Sequence, residues 1–167
     1  MTIHSTHPFA MPEDAARRLR GRLGGTVSLW TAGSGATRAG LTVSSLMVAT
    51  GAPAYVVGLL DPDSDLFDAL ETTERGVVQL LRWRHRELAE MFAGATPAPG
   101  GVFRQAEFDE SAWGPVLADA TTWAGVVLES VVEVGWSMQV TCRIEHVVLG
   151  EEPDPLVHRR GRYVPMA

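Results

Sequence analysis

The sequence holds a single cysteine, Cys142, in 167 residues, so no disulfide forms within the chain. That usage suits a reducing compartment, and a cytoplasmic protein is expected. No apolar run reaches the roughly 18 residues that a membrane-spanning helix needs. Met1 to Met11 lacks both the charged start and the apolar stretch of a signal peptide, so residues 1–11 read as a mobile tail. No basic stripe interleaves with aromatics and the net charge is -6, which leaves nucleic-acid binding without support. His4, His7, His85, His146 and His158 form no ligand-spaced pair, so no metal site is expected. There is no Gly-x-Ser-x-Gly elbow for a serine nucleophile. The glycine-rich run from Gly33 to Gly40 lacks both the Lys-Ser/Thr ending of a phosphate loop and the Gly-x-Gly-x-x-Gly spacing. It reads as a turn. No internal repeat or low-complexity block occurs.

What is present is a chain with 46% apolar residues, enough for a substantial core, and residues 12–167 have the length of one domain. A short helix is expected from Pro12 to Arg20, acidic at its start, arginine-rich at its end and stopped by Gly21, Gly24 and Gly25. Thr26 to Thr31 alternates apolar with small polar residues and reads as a strand. Ala39 to Val48 is its hairpin partner across the Gly33-Ser34-Gly35 turn. Pro53 to Leu60 reads as a buried strand, and Leu66 to Glu71 as a short helix behind an N-cap at Asp61 to Ser64.

Further on, Gly76 to Leu81 reads as a strand, and Arg84 to Phe92 as a helix with Leu88, Met91 and Phe92 on one face. Thr121 to Val134 and Met138 to Leu149 form a long antiparallel pair around Gly135-Trp136-Ser137. A short edge hairpin at residues 155–158 and 161–163 closes the chain. Strands dominate without βαβ alternation, so the expected fold class is mainly β: a closed antiparallel barrel with a few short peripheral helices.

Two segments bear on chemistry. Cys142 lies mid-strand in an apolar pattern and reads as a buried structural thiol. In Gly40-Leu41-Thr42-Val43-Ser44-Ser45, three hydroxyls stand beside a glycine within an apolar strand, with Thr42 and Ser44 on one side. Neutral hydroxyls and backbone amides suit a flavin's ring edge and phosphate. The same pattern also describes the polar face of an ordinary strand.

The ordered set of features resembles the flavin reductase-like, FMN-binding split-barrel family. It comprises Thr31, the Gly33–Gly35 turn, Gly40 to Ser45, the Pro53-led strand, Ser64, Gly76 to Leu81, Leu88 to Gly94, and Pro155-Leu156-Val157 with Gly161-Arg162-Tyr163. The resemblance covers roughly residues 12 to 165 and implies an antiparallel split β-barrel of Greek-key type. It also implies FMN (or FAD) bound by Leu41, Thr42, Val43, Ser44 and Ser45, with Asp61 and Ser64 at the ribityl phosphate and Gln79 near the flavin.

NADH or NADPH would donate hydride, a partner monooxygenase would use the reduced flavin, and the barrel would be a homodimer. Arg38, Arg82 and Arg84 are the cations near these motifs in sequence. Where many family reductases carry Gly-Asp-His, this chain has Gly135-Trp136-Ser137. That leaves a non-catalytic FMN-binding or other ligand-binding barrel as the alternative. Trp136 is expected to pack on the barrel, with stacking on a ligand as its other role. No catalytic side chain is assigned.

Overall fold

The computed structural model describes residues 14–166. The expected tail at residues 1–11, and the first two residues of the expected helix, lie outside that range. Helix α1 (Ala15–Leu23) starts at Asp14, whose carboxylate accepts from the Ala16 N–H at 3.0 Å. It does not stop at Gly21. A lone glycine weakens a helix by about 1 kcal/mol without ending it. The end comes at Gly24, whose φ of 65° turns the chain away.

The chain continues through β1 (Gly25–Thr26), β2 (Ser28–Ala32), β3 (Ala39–Val43), β4 (Leu46–Ala49) and β5 (Tyr55–Leu60). Next come α2 (Asp65–Thr73), β6 (Arg75–Leu80), α3 (Arg86–Phe92) and the small β7–β8 hairpin (Phe108–Glu110, Pro115–Leu117). The long β9 (Trp123–Val134) and β10 (Ser137–Val148) precede β11 (Leu156–Arg159) and β12 (Arg162–Pro165). The β7–β8 hairpin has no counterpart in the sequence reading, because strands of three residues carry no periodic signal.

Seven strands form one antiparallel sheet in the order β3-β2-β6-β9-β10-β5-β4. Strands β3 and β4 are neighbours in sequence yet occupy opposite edges of this sheet. Only Ser44 and Ser45 join them, so the sheet must curl until its edges meet. The stretch expected as one strand from Ala39 to Val48 is therefore two. Register shifts in the β9–β10 pair, at Thr141/Cys142 and Ile144/His146, supply the bends that curling needs.

Inside the curl lies an apolar core that includes Trp30, Val43, Leu60, Leu66, Leu70, Val126 and Val140. Trp30 fills its centre where Gly58 leaves room, since a Cβ there would sit 2.8 Å from the indole. Its indole N–H donates to the Ser28 hydroxyl (3.0 Å), which donates to the Val43 carbonyl (2.7 Å). Cys142 is fully buried in this core, and burial pushes its thiol up to about 12. A second cluster, with Leu29, Leu81, Leu88, Phe92 and Leu156, packs α3 onto the sheet.

Candidate functional site

The crossing from β3 to β4 is also the floor of a cleft of about 1480 Å³ that is open to solvent. Strand β3 ends at Val43, so side-chain alternation stops there and residues 44–45 are held by other contacts. The Ser45 carbonyl accepts from the Leu59 N–H at 2.9 Å, tying the crossing to β5. Neither the Ser44 nor the Ser45 hydroxyl has a hydrogen-bond partner among the described residues. The Thr42 hydroxyl donates to the Ala89 carbonyl at 2.6 Å and fastens α3 to β3.

Leu41, Leu59 and Met138 give the cleft its apolar surfaces, and Asp61 to Asp63 form its far corner. Trp136 stands at the rim, 57% exposed, on the turn between β9 and β10. The expectation that it packs on the barrel is not met within this chain, where more than half of the residue stays exposed. The opposite wall belongs to α1. Arg17, Arg18, Arg20 and Arg22 line the cleft together with His158 and Arg160. Gly25 approaches the crossing so closely that a Cβ there would lie 3.0 Å from the Ser44 carbonyl, which seats the C-terminal end of α1 over Ser44.

Of the residues named from sequence, Leu41, Thr42, Val43, Ser44, Ser45 and Asp61 come together in this cleft. Ser64 stands behind it, its hydroxyl accepting from the Phe67 N–H (3.2 Å) and donating to the Asp61 carbonyl (2.7 Å) as the cap of α2. Gln79 does not reach the cleft. It is fully buried, donating to the Thr31 hydroxyl at 3.2 Å and accepting from the Leu117 N–H at 2.6 Å. Strand alternation places it on the face that packs under β8 rather than on the cleft side.

The three cations near the motifs are also engaged elsewhere. Arg38 lies over the Phe103 ring, Arg82 pairs with Asp154, and Arg84 pairs with Asp119. Sequence alone presents the arginines of residues 17–22 as complements of a helix dipole, and only the fold turns them into a basic wall. Their signal in the sequence is the density of one charge with no acidic residue among them. His85 is a scaffold histidine whose Nδ1 accepts from the Arg82 N–H at 3.0 Å while Nε2 meets Asp119 at 3.1 Å. Burial, with Arg84 and Arg82 nearby, lowers it to about 4.

The flavin reductase-like domain family matches residues 20–167. The chain belongs to that family. It is 27% identical over 155 residues to the NADH-type FMN reductase RutF of Ancylobacter novellus, covering 92% of this chain and 85% of that protein. It is also 26% identical over 148 residues to the reductase component of 4-hydroxyphenylacetate 3-monooxygenase from Pseudomonas aeruginosa, covering 87% of each. The solved structure of nitrilotriacetate monooxygenase component B from Mycobacterium thermoresistibile superposes with a TM-score of 0.84 at 19% identity. That superposition covers 95% of this chain and 89% of the other and establishes the split-barrel fold. No helix among the described residues is long and apolar enough to cross a membrane.

Proposed function

We propose that this chain is a flavin reductase that binds FMN at the β3–β4 crossing and transfers hydride to it from a reduced nicotinamide. The supporting observation is the pairing of two unpartnered hydroxyls, on Ser44 and Ser45, with an arginine wall across an apolar floor. A flavin mononucleotide needs a flat apolar surface at one end and donors plus positive charge at its phosphate. Leu41, Leu59 and Met138 suit the ring, and Ser44, Ser45 and Arg22 suit the phosphate.

When bound, the flavin supplies the hydride-accepting ring and the nicotinamide the hydride, so the protein need not donate or remove a proton through a fixed side chain. This chain's residues orient and desolvate: the Ser45–Leu59 bond fixes the crossing, Thr42 anchors α3 behind it, and Trp136 offers an aromatic face at the opening. The kinship with a monooxygenase reductase component supports transfer of reduced flavin to a partner monooxygenase.

The same reading includes a homodimer. Met47, Val132 and Val134 are 68%, 53% and 44% exposed on one face of the β4–β5–β10–β9 sheet, an apolar surface that a second copy would cover. The test of catalysis is NADH and NADPH oxidation with added FMN or FAD, read beside the absorbance spectrum of purified protein. Turnover with either donor is expected. Trp136-Ser137, in place of an acid–histidine pair, favours a second reading, a barrel that holds FMN or another ligand without turnover. Protein that is yellow but inert with both nicotinamides selects it.

A further inference from the structure

We propose that Glu133 is the carboxylate that faces the nicotinamide ring and balances the positive charge which that ring acquires on giving up hydride. This deepens the flavin reductase reading of the cleft and rests on it.

The tip of the β9–β10 hairpin is almost bare of charge. Residues 131–139 carry one ionisable side chain, Glu133. Strand register settles which way it projects. Glu133 is the cross-strand partner of Met138, and partnered residues of an antiparallel pair share a face. Met138 packs against the core inside the curl and also lines the cleft. Glu133 therefore stands on the cleft side of β9, just past the end of the core. It is exposed and makes no ion pair among the described residues, so the fold draws no such stabilisation from its charge.

The cleft is polarised as a result. Arg18, Arg20 and Arg22 of α1 line one wall, and Glu133 lines the side formed by the hairpin tip. The proposed reactants are polarised in the same sense. Their phosphates suit the arginines. At the other end, the C4–H bond of the neutral dihydropyridine breaks and its electron pair leaves with the hydrogen to form the N5–H bond of the flavin. The nicotinamide is left as a pyridinium cation, and the flavin carries the matching negative charge.

With the isoalloxazine on Leu41, Leu59 and Met138, a nicotinamide stacked on it from the opening comes beside Glu133. A fixed anion aimed at charge that develops only during transfer lowers the barrier without tightening the substrate. Trp136, three residues farther along the same tip, adds an indole face, which also attracts a cation. Gly135-Trp136-Ser137 brings no basic group that would oppose it.

The test uses two nucleotides with the same ribose and diphosphate groups but different ring charge. NAD+ carries the pyridinium; the 1,4,5,6-tetrahydro analogue of NADH has a neutral ring and cannot donate hydride. The arginine wall acts equally on both, and neither reacts with oxidised FMN, so calorimetric titration of the FMN-loaded protein reads binding alone. The variant Glu133→Gln keeps the size of the side chain and removes its charge; circular dichroism checks its fold. Its dissociation constant for NAD+, taken as a ratio to that for the neutral analogue, is expected to rise about two- to fivefold over wild type, the scale of an ion pair open to solvent. Glu133→Asp should restore most of that ratio, and added salt should shrink the difference. Single-turnover reduction of FMN by NADH should slow in Glu133→Gln by a similar factor.

A ratio that moves less than about twofold, whatever the separate affinities do, overturns the proposal. So does wild-type protein that takes FMN but neither nucleotide. Wild-type protein that binds no FMN defeats the flavin reading instead, and the same ratio measured on the flavin-free protein then decides Glu133 by the same criterion.

Discussion

Gln79 and His85 show how single polar residues hold this barrel from within. Gln79 satisfies a buried donor, the Leu117 N–H, from a position with no solvent access. Gln79→Leu strands that N–H, and an unmade buried hydrogen bond costs about 1–3 kcal/mol. Urea melts are expected to show that loss, while the FMN dissociation constant stays within twofold because the side chain is remote from the cleft. His85 is held neutral, at about 4 against an ordinary 6.5. A depressed histidine is protonated in the unfolded chain before the folded one, so stability is intact above pH 6.5 and drains as pH falls toward 4. The loss is on the order of 2–3 kcal/mol. Denaturant melts at pH 7.5, 5.5 and 4.5 check it, and His85→Gln should flatten the dependence.

Residue type alone revealed some of this. Cys142 was legible as a buried thiol, because an apolar alternating context leaves little else. Gln79 was not, because hydrogen-bonding chemistry cannot reveal which face of a strand is inward until its neighbours are known.

Among the elements, the hairpins could be read most directly. The strand pairs β2–β3 and β9–β10 announce themselves by local alternation across turn residues, and the structure has both. The crossing at Ser44-Ser45 was legible as chemistry but not as topology. Nothing local distinguishes a strand that runs on from one that leaves its sheet edge and joins the opposite one.

Helix α1 was likewise visible, but not the cleft it faces, since it buries no side chain and its place is set by Gly21 and Gly24. The β9–β10 turn carries a prediction of its own. Trp136 is 57% exposed, so Trp136→Ala should leave the thermal midpoint unchanged. It should weaken flavin or nicotinamide binding about 3–10-fold, as loss of one aromatic stack worth about 0.5–1.5 kcal/mol. Titration alongside a melting curve separates the two effects.

For the whole molecule, the outer face of β4, β5, β9 and β10 leads to an expected oligomer. Light scattering behind a sizing column should report twice the 18.0 kDa of one chain. A Met47→Glu/Val132→Glu variant, charged where a partner would lie, should run as a monomer with its core intact. The mainly β class was readable from strand count alone. The site was not, because its two walls are brought together by pairings between residues far apart in sequence, such as Leu60 with Met138 and Gly25 with His158.

With flavin held at the β3–β4 crossing, as proposed, the two-residue bridge between opposite sheet edges would govern when the protein becomes able to hold its cofactor. A nascent chain that ends before Trp123 already contains the bridge and both flanking strands, yet it lacks β9 and β10, which stand between those strands in the finished sheet. Cofactor loading is then expected to be a late event, after synthesis has passed the long hairpin and the most distant pairings have closed. Flavin added during refolding should then slow unfolding and raise the final yield, while leaving the folding rate itself unmoved.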